Sequence, residues 1–322
     1  MLPYLFEIFG YKVPSYGFFI AMGLIACGAT FLLLIKKKGM PESVFDNYFN
    51  AALFAILGGF GSAALFQGFY NCQATGEFKF GGITFMGGVI GGVIIFILYT
   101  VFLVKDPKLK QAFWDVADMA PACIVIAHCL GRIGCLLAGC CYGAPDDVWG
   151  LAFVKRGDPT PRLPVQLYES LFLFLMYAIS VAYALKTKKR GYGVTLYAIP
   201  YGIWRFCIEF LRDDYRGGTQ GAALSPSQVQ SIVFIVIGVA YFVLVYFLRK
   251  KKLVEEKIDW TDDLIAEAET KRVLKEKKLA KKAKKEEVKK EAEVSSYEDY
   301  NKAVEDAQKE IEKEQNAQND NE

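Results

Sequence analysis

The sequence predicts an all-α polytopic membrane protein with about seven transmembrane helices, its N-terminus outside and its C-terminus cytoplasmic. Three observations lead there. Hydrophobic residues fill 53% of the 322 positions, and almost all of the charge excess lies after Leu248. Before that point the chain breaks into long apolar stretches, each near the roughly 20 residues a helix needs to cross a bilayer core. The basic residues between the stretches cluster on alternate loops. Such a chain is not a soluble enzyme, a wholly disordered polymer or a disulfide scaffold, and a net charge of +3 gives no reason to expect nucleic acid.

Taken in order, Met1–Ser15 carries Tyr4, Phe6, Phe9 and Tyr11 without a basic leader or a small-residue cleavage site. It reads as an interfacial segment rather than a cleaved signal. The expected spans are Tyr16–Ile35, Asn47–Phe69, Ile83–Val104, Trp114–Leu137, Pro164–Leu185, Tyr192–Leu211 and Val229–Leu248. They are helices because backbone groups in hydrocarbon must bond within their own segment. Lys36–Lys38, Lys105–Lys110, Lys186–Arg190 and Arg249–Lys252 follow the first, third, fifth and last spans. Short loops rich in Lys and Arg stay cytoplasmic, so these clusters set the orientation. The opposite loops, around Glu77 and Lys79, Ala144–Arg162 and Asp213–Ser227, are mixed or acidic.

Two parts follow: a membrane domain at 1–250 and a charged cytoplasmic tail at 251–322. Within the tail, Lys271–Glu291 has the charge spacing of an exposed helix, and Gln308–Glu322 reads as disordered. Glycines crowd the second and third spans. Gly87 with Gly91, and Gly88 with Gly92, repeat the spacing that lets helix backbones approach. The run from Gly81 to Gly88 fits equally well as backbone that meets a ligand.

The chemistry lies in charges inside the spans. A charged side chain at mid-bilayer costs roughly 2.5–3.5 kcal/mol on insertion scales, so each calls for a partner or a purpose. His128, Arg132, Cys135 and Gly139 share one helix face, and Tyr201, Arg205, Glu209 and Arg212 share another. Glu209 is placed to neutralise Arg205, and Glu169 offers a second carboxylate near the start of the fifth span. Arg132, Arg205 and Arg212 still outnumber the acids, which points to an anionic ligand; a guanidinium fork suits phosphate. A purely structural ion-pair network is the competing reading. Cys129, Cys135, Cys140 and Cys141 crowd His128, yet they lack both the paired spacing of a zinc site and a Cys-x-x-Cys dithiol. A membrane thiol-redox protein using Cys135, Cys140 and Cys141 is the alternative they leave open.

Five short motifs in order resemble the prolipoprotein diacylglyceryl transferase family of bacterial inner membranes. They are Ser15-Tyr16-Gly17; Gly81-Gly82-Ile83-Thr84-Phe85-Met86-Gly87-Gly88; Gly131-Arg132-Ile133-Gly134; Pro164-Val165-Gln166-Leu167-Tyr168-Glu169; and the run from Tyr201-Gly202-Ile203-Trp204-Arg205 to Glu209-Phe210-Leu211-Arg212. The likeness covers about the first 250 residues. It implies transfer of a diacylglyceryl group from phosphatidylglycerol to the cysteine thiol of a prolipoprotein signal peptide, at the bacterial cytoplasmic membrane and among membrane lipids. No metal and no cofactor is implied. Arg132 and Arg205 would hold the phosphate, Glu209 would orient Arg205, and Arg212 would gate the outer mouth. Tyr16, Gly87, Gly88, Gln166, Glu169 and Tyr201 would line the substrate. Typical members have His where this chain has Met86, and two Asn and a Glu where it has Cys135, Ala138 and Cys140. His128 is therefore expected to stand in as general base. A catalytically inactive phospholipid-binding relative is the remaining alternative.

Overall fold

A computed structural model describes residues 2–80, 85–152, 160–213, 223–254 and 258–319. The chain divides into two compact units, Met1–Trp260 and Thr261–Glu322.

The first unit opens with a hairpin, β1 (Tyr4–Ile8) against β2 (Tyr11–Pro14). Its two-residue turn puts Phe9 and Gly10 at φ 50° and 80°, the paired left-handed conformation that suits the strands' twist. The interfacial segment expected from the aromatics is thus a hairpin, tied to the first helix by Ser15 N–H donating to the Pro3 carbonyl at 2.9 Å.

Among the described residues seven helices follow: α1 (Ser15–Lys37), α2 (Glu42–Thr75), α3 (Phe85–Leu98), α4 (Pro107–Ala138), α5 (Val165–Lys186), α6 (Gly193–Ile208) and α7 (Pro226–Lys250). A π turn at Tyr99–Leu103 extends α3, and a 3₁₀ turn at Glu209–Leu211 extends α6. Five of the seven, α1, α2, α4, α5 and α7, are long and apolar enough to cross a membrane among the described residues; α3 and α6 are shorter. Two-residue strands β3 (Leu151–Ala152) and β4 (Pro161–Arg162) pair in the loop after α4. Local chemistry sets the helix starts. Asp106 caps α4 by accepting from Lys108 N–H at 2.7 Å ahead of Pro107, and Ser225 with Gln228 forms a reciprocal capping box ahead of α7.

Beside an apolar core, several polar side chains are buried while many large apolar ones face outward. Asp118, Gln166, Glu169 and Ser180 are fully buried, whereas Leu57, Phe60, Phe102, Leu171, Phe174 and Val236 are exposed. Apolar surface on that scale on the outside of helices is the signature of a lipid-facing wall. The main helix pairs are α2 with α3, α1 with α4, α4 with α5, and α6 with α7. Glycine makes the first of these possible. A Cβ on Gly59 would stand 3.0 Å from the Gly88 carbonyl oxygen, and one on Gly87 would stand 2.6 Å from Phe66 Cβ. Ser62 Oγ donates to the Gly87 carbonyl at 2.8 Å across the same contact.

At the α4 start, α4 holds a polar network that the apolar reading of its stretch passed over. Asp115 pairs with Lys38 at 2.8 Å and with Arg190 at 2.6 Å. Asp118 accepts from Gly191 and Gly193 N–H at 2.9 and 2.7 Å. The basic residues that follow α1 and α5 are thereby fastened to one helix, and Arg249 at the end of α7 donates to the Arg190 carbonyl at 3.2 Å.

The second unit is one helix, α8 (Thr261–Asn319). Lys271–Glu267 and Arg272–Glu276 pair at i,i+4 spacing, 2.6 and 3.1 Å. The disorder expected from Gln308 is replaced by helix as far as Asn319. Glu, Lys, Gln and Ala have high intrinsic helix propensity, and the polarity that argued for disorder does not oppose a solvated helix.

Candidate active site

Arg132 and His128 lie on α4, about 25 and 20 Å along the helix from Asp115 at 1.5 Å per residue. Facing them, at the start of α5, Glu169 is completely buried. Its Oε2 lies 3.0 Å from Arg132 Nε, and its Oε1 accepts from the Tyr201 hydroxyl at 2.9 Å. His128 packs edge-on to Tyr201, with ring centroids 4.9 Å apart. Its Nε2 is 3.4 Å from the Tyr201 hydroxyl and 3.7 Å from Glu169 Oε1, while Nδ1 is 3.2 Å from the Tyr197 hydroxyl. Both ring nitrogens therefore meet tyrosine oxygens. The expected pairing of α4 with Glu169 is present, and α6 enters through Tyr197 and Tyr201.

A second cluster lies one turn further along α6. Arg205 Nη1 donates to Glu209 Oε2 at 2.6 Å, Arg212 Nε lies 3.9 Å from the same oxygen, and Ser225 Oγ donates to Glu209 Oε1 at 2.9 Å. Ser225 thus caps α7 and anchors Glu209, a role the sequence pattern did not single out. Arg205 Nη2 is buried without a hydrogen-bond partner among the described residues. An orphaned charged donor is costly unless something supplies an acceptor.

The loop after α4 joins the two clusters. Gly143 pairs with Arg212 in a single antiparallel bridge, and Ala144 N–H donates to the Leu211 carbonyl at 2.9 Å. Gln166, fully buried, donates from Nε2 to the Cys140 carbonyl at 2.5 Å. Its Oε1 has no hydrogen-bond partner among the described residues. Tyr16, at the head of α1, is 47% exposed and lies beside α4 where a Cβ on Gly134 would stand 3.4 Å from its Cα.

Not every expected residue joins this group. Gly87 and Gly88 lie against α2, where the space a side chain would need is taken by Phe66, Ala63 and the Gly59 backbone. These contacts are helix packing, one of the two readings open for these glycines. The part of that motif from Gly81 to Thr84 lies outside the described residues, as does the side chain of Met86 and parts of the loops Ala144–Arg162 and Asp213–Ser227. Cys135, Cys140 and Cys141 come together at the end of α4, with all three sulfurs within 4.8 Å of one another.

Arg132 is paired with Glu169, and Arg205 and Arg212 lie beside Glu209. Guanidinium groups of this kind match the oxygens of a phosphate.

Comparison with known proteins identifies the family. Residues 3–244 match the family described as prolipoprotein diacylglyceryl transferase. A phosphatidylglycerol–prolipoprotein diacylglyceryl transferase of Clostridium tetani is 35% identical over 75% of this chain and 97% of its own length. A second one from Clostridium perfringens is 34% identical over 76% of this chain and 94% of its own. One from Shewanella oneidensis is 33% identical over 74% and 91%. The ordered motifs, the helical membrane fold and these matches together place the chain in the prolipoprotein diacylglyceryl transferase family.

Proposed function

We infer that this protein transfers a diacylglyceryl group from phosphatidylglycerol to the cysteine thiol of a lipoprotein precursor, as a multi-pass enzyme of the bacterial cytoplasmic membrane. The observation that carries the reading is that Arg132 from α4 and Arg205 from α6 both lie close enough to Tyr201 to act on it, each paired with its own carboxylate, while one buried Arg205 donor has no hydrogen-bond partner among the described residues. A phosphodiester brings oxygens that accept from that Arg205 donor. In the reaction the thiol sulfur bonds to the glycerol carbon, the carbon–oxygen bond to phosphate breaks, and the thiol proton ends on the departing glycerol phosphate. Arg132 and Arg205 hold the phosphate and stabilise the charge that gathers there as the bond breaks. Glu209 aims Arg205, Arg212 closes the same edge, and Tyr16, Gln166, Glu169 and Tyr201 border the head group.

The reading has seven spans, an outside N-terminus and a cytoplasmic C-terminus, with 1–250 as the transferase domain and 251–322 as a charged tail. Phe85–Leu103 and Gly193–Leu211, counted with their π and 3₁₀ turns, are each about 28 Å long. That length reaches nearly across a hydrocarbon core of roughly 30 Å. The basic residues gathered on Asp115 at the far end of α4 support the cytoplasmic placement of that end.

His128 acts here as a positioning residue, because its two nitrogens meet Tyr197 and Tyr201 within a network that ends on Arg132. Purified protein incubated with labelled phosphatidylglycerol and a lipobox peptide is expected to yield a thioether-lipidated peptide. His128→Gln should lower turnover less than about 100-fold and leave the shape of the pH–rate profile intact, since loss of a general base costs about 10²–10⁴. Loss of the acidic limb in that variant would make His128 the base. No thioether product from monodisperse, lipid-supplied protein would retire the transferase reading.

A further inference from the structure

Three thiols at the end of α4 form a cluster to which the proposed transfer assigns no role. Two left-handed residues build it. Gly139, at φ 70°, ends α4, so that Gly139 N–H donates to the Leu136 carbonyl and Cys140 N–H to the Cys135 carbonyl, each at 3.1 Å. These two bonds are the Schellman pattern, which turns the chain back over its own last turn. Cys141 then takes φ 65°, a conformation that is unfavourable for a residue with a Cβ. The outcome is that Sγ of Cys135, Cys140 and Cys141 all lie within 4.8 Å of one another. Cys135 is buried, Cys141 half-buried and Cys140 exposed, so the group has both a shielded side and an entry.

We propose that Cys135, Cys140 and Cys141 form a trigonal thiolate site for a soft, closed-shell cation of the Cu(I) type. The donor set selects the cation. Thiolates favour Cu(I) and related soft ions over hard ones, and among the described residues the cluster contains no carboxylate or imidazole. The spacing fits as well: three sulfurs at about 2.3 Å from a shared ion are about 4 Å apart. A disulfide would need two of them at about 2.0 Å and would leave the third unused. On binding, three S–H bonds are lost, three metal–sulfur bonds form, and three protons pass to water. The bound site carries two negative charges, which Arg132, one turn before Cys135 on the same helix and close enough to interact with it electrostatically, partly offsets.

The test is an anaerobic titration of the full-length chain, purified in detergent and reduced, with Cu(I) against a chromogenic Cu(I) chelator. One equivalent of Cu(I) is expected, together with a three-sulfur shell by X-ray absorption. Cys135→Ser, Cys140→Ser and Cys141→Ser should each weaken retention at least tenfold, while Cys207→Ser, at an exposed cysteine elsewhere, leaves it unchanged. Gel filtration in the same detergent establishes that each variant is folded. Because Cys140→Ser and Cys141→Ser change side chains after the helix end, at least these two are expected to remain monodisperse. No retained Cu(I), or retention that is equal in the Cys140→Ser/Cys141→Ser double variant, would overturn the proposal. A two-sulfur shell that survives loss of these thiols would overturn it too.

Discussion

Arg205→Ala is expected to reduce diacylglyceryl transfer by about 10²–10³ in turnover, the range seen when one donor that stabilises developing negative charge is removed. Arg205 is mostly buried, bonded through Nη1 to Glu209, and has its Nη2 without a partner in the described structure. It is thus fixed by a carboxylate on one side and left with a donor on the other. A lysine in its place keeps the charge but loses the fork, so it cannot bond Glu209 and a phosphate oxygen with separate nitrogens. Arg205→Lys should therefore recover only a small part of the loss. Steady-state transfer assays on labelled phosphatidylglycerol measure both. Near-normal turnover in Arg205→Ala would remove this residue from the reaction.

Glu169→Ala should have the largest effect on stability. Glu169 is fully buried and holds Arg132 at 3.0 Å while accepting from Tyr201 at 2.9 Å. Its loss leaves the largely buried Arg132 guanidinium without its carboxylate and takes the shorter of two partners from the Tyr201 hydroxyl. Breaking one partner of a buried ion pair costs about 3–5 kcal/mol, against a total stability of about 5–15 kcal/mol for a typical domain. Glu169→Gln keeps an acceptor for Tyr201 and should be milder. Unfolding by detergent titration, followed through tryptophan fluorescence, gives the ranking wild type, Glu169→Gln, Glu169→Ala. Glu169→Ala unfolding at the wild-type midpoint would mean that Arg132 does not depend on this carboxylate.

Much of the site could be read from residue spacing. Arg132 and Arg205 stood out because a charge inside an apolar stretch needs a reason, and i,i+4 spacing placed each beside a second polar group. Glu169 was legible as a partner because it begins a span rather than lying in a loop. Other features were hidden for physical reasons. Asp115 and Asp118 merge into the apolar average of their stretch, and only the folded chain brings Lys38 and Arg190 to Asp115 and two glycine N–H groups to Asp118. The sulfur cluster depends on a left-handed turn at Gly139 and Cys141, which spacing rules for metal ligands do not describe. Gly87 and Gly88 fit two readings because a glycine permits close approach of any group; α2 turned out to be the neighbour. The segment that forms the hairpin at Tyr4–Pro14 was read from its aromatics as interfacial only, although Phe9-Gly10 form the turn.

The central claim is that arginines from α4 and α6 together hold the phosphate of a lipid. Native mass spectrometry of protein released from nanodiscs containing equal amounts of phosphatidylglycerol and phosphatidylcholine addresses it directly. Wild type should retain one phosphatidylglycerol, and Arg132→Ala/Arg205→Ala should lose that preference while remaining folded. A double variant that still selects phosphatidylglycerol would contradict the account.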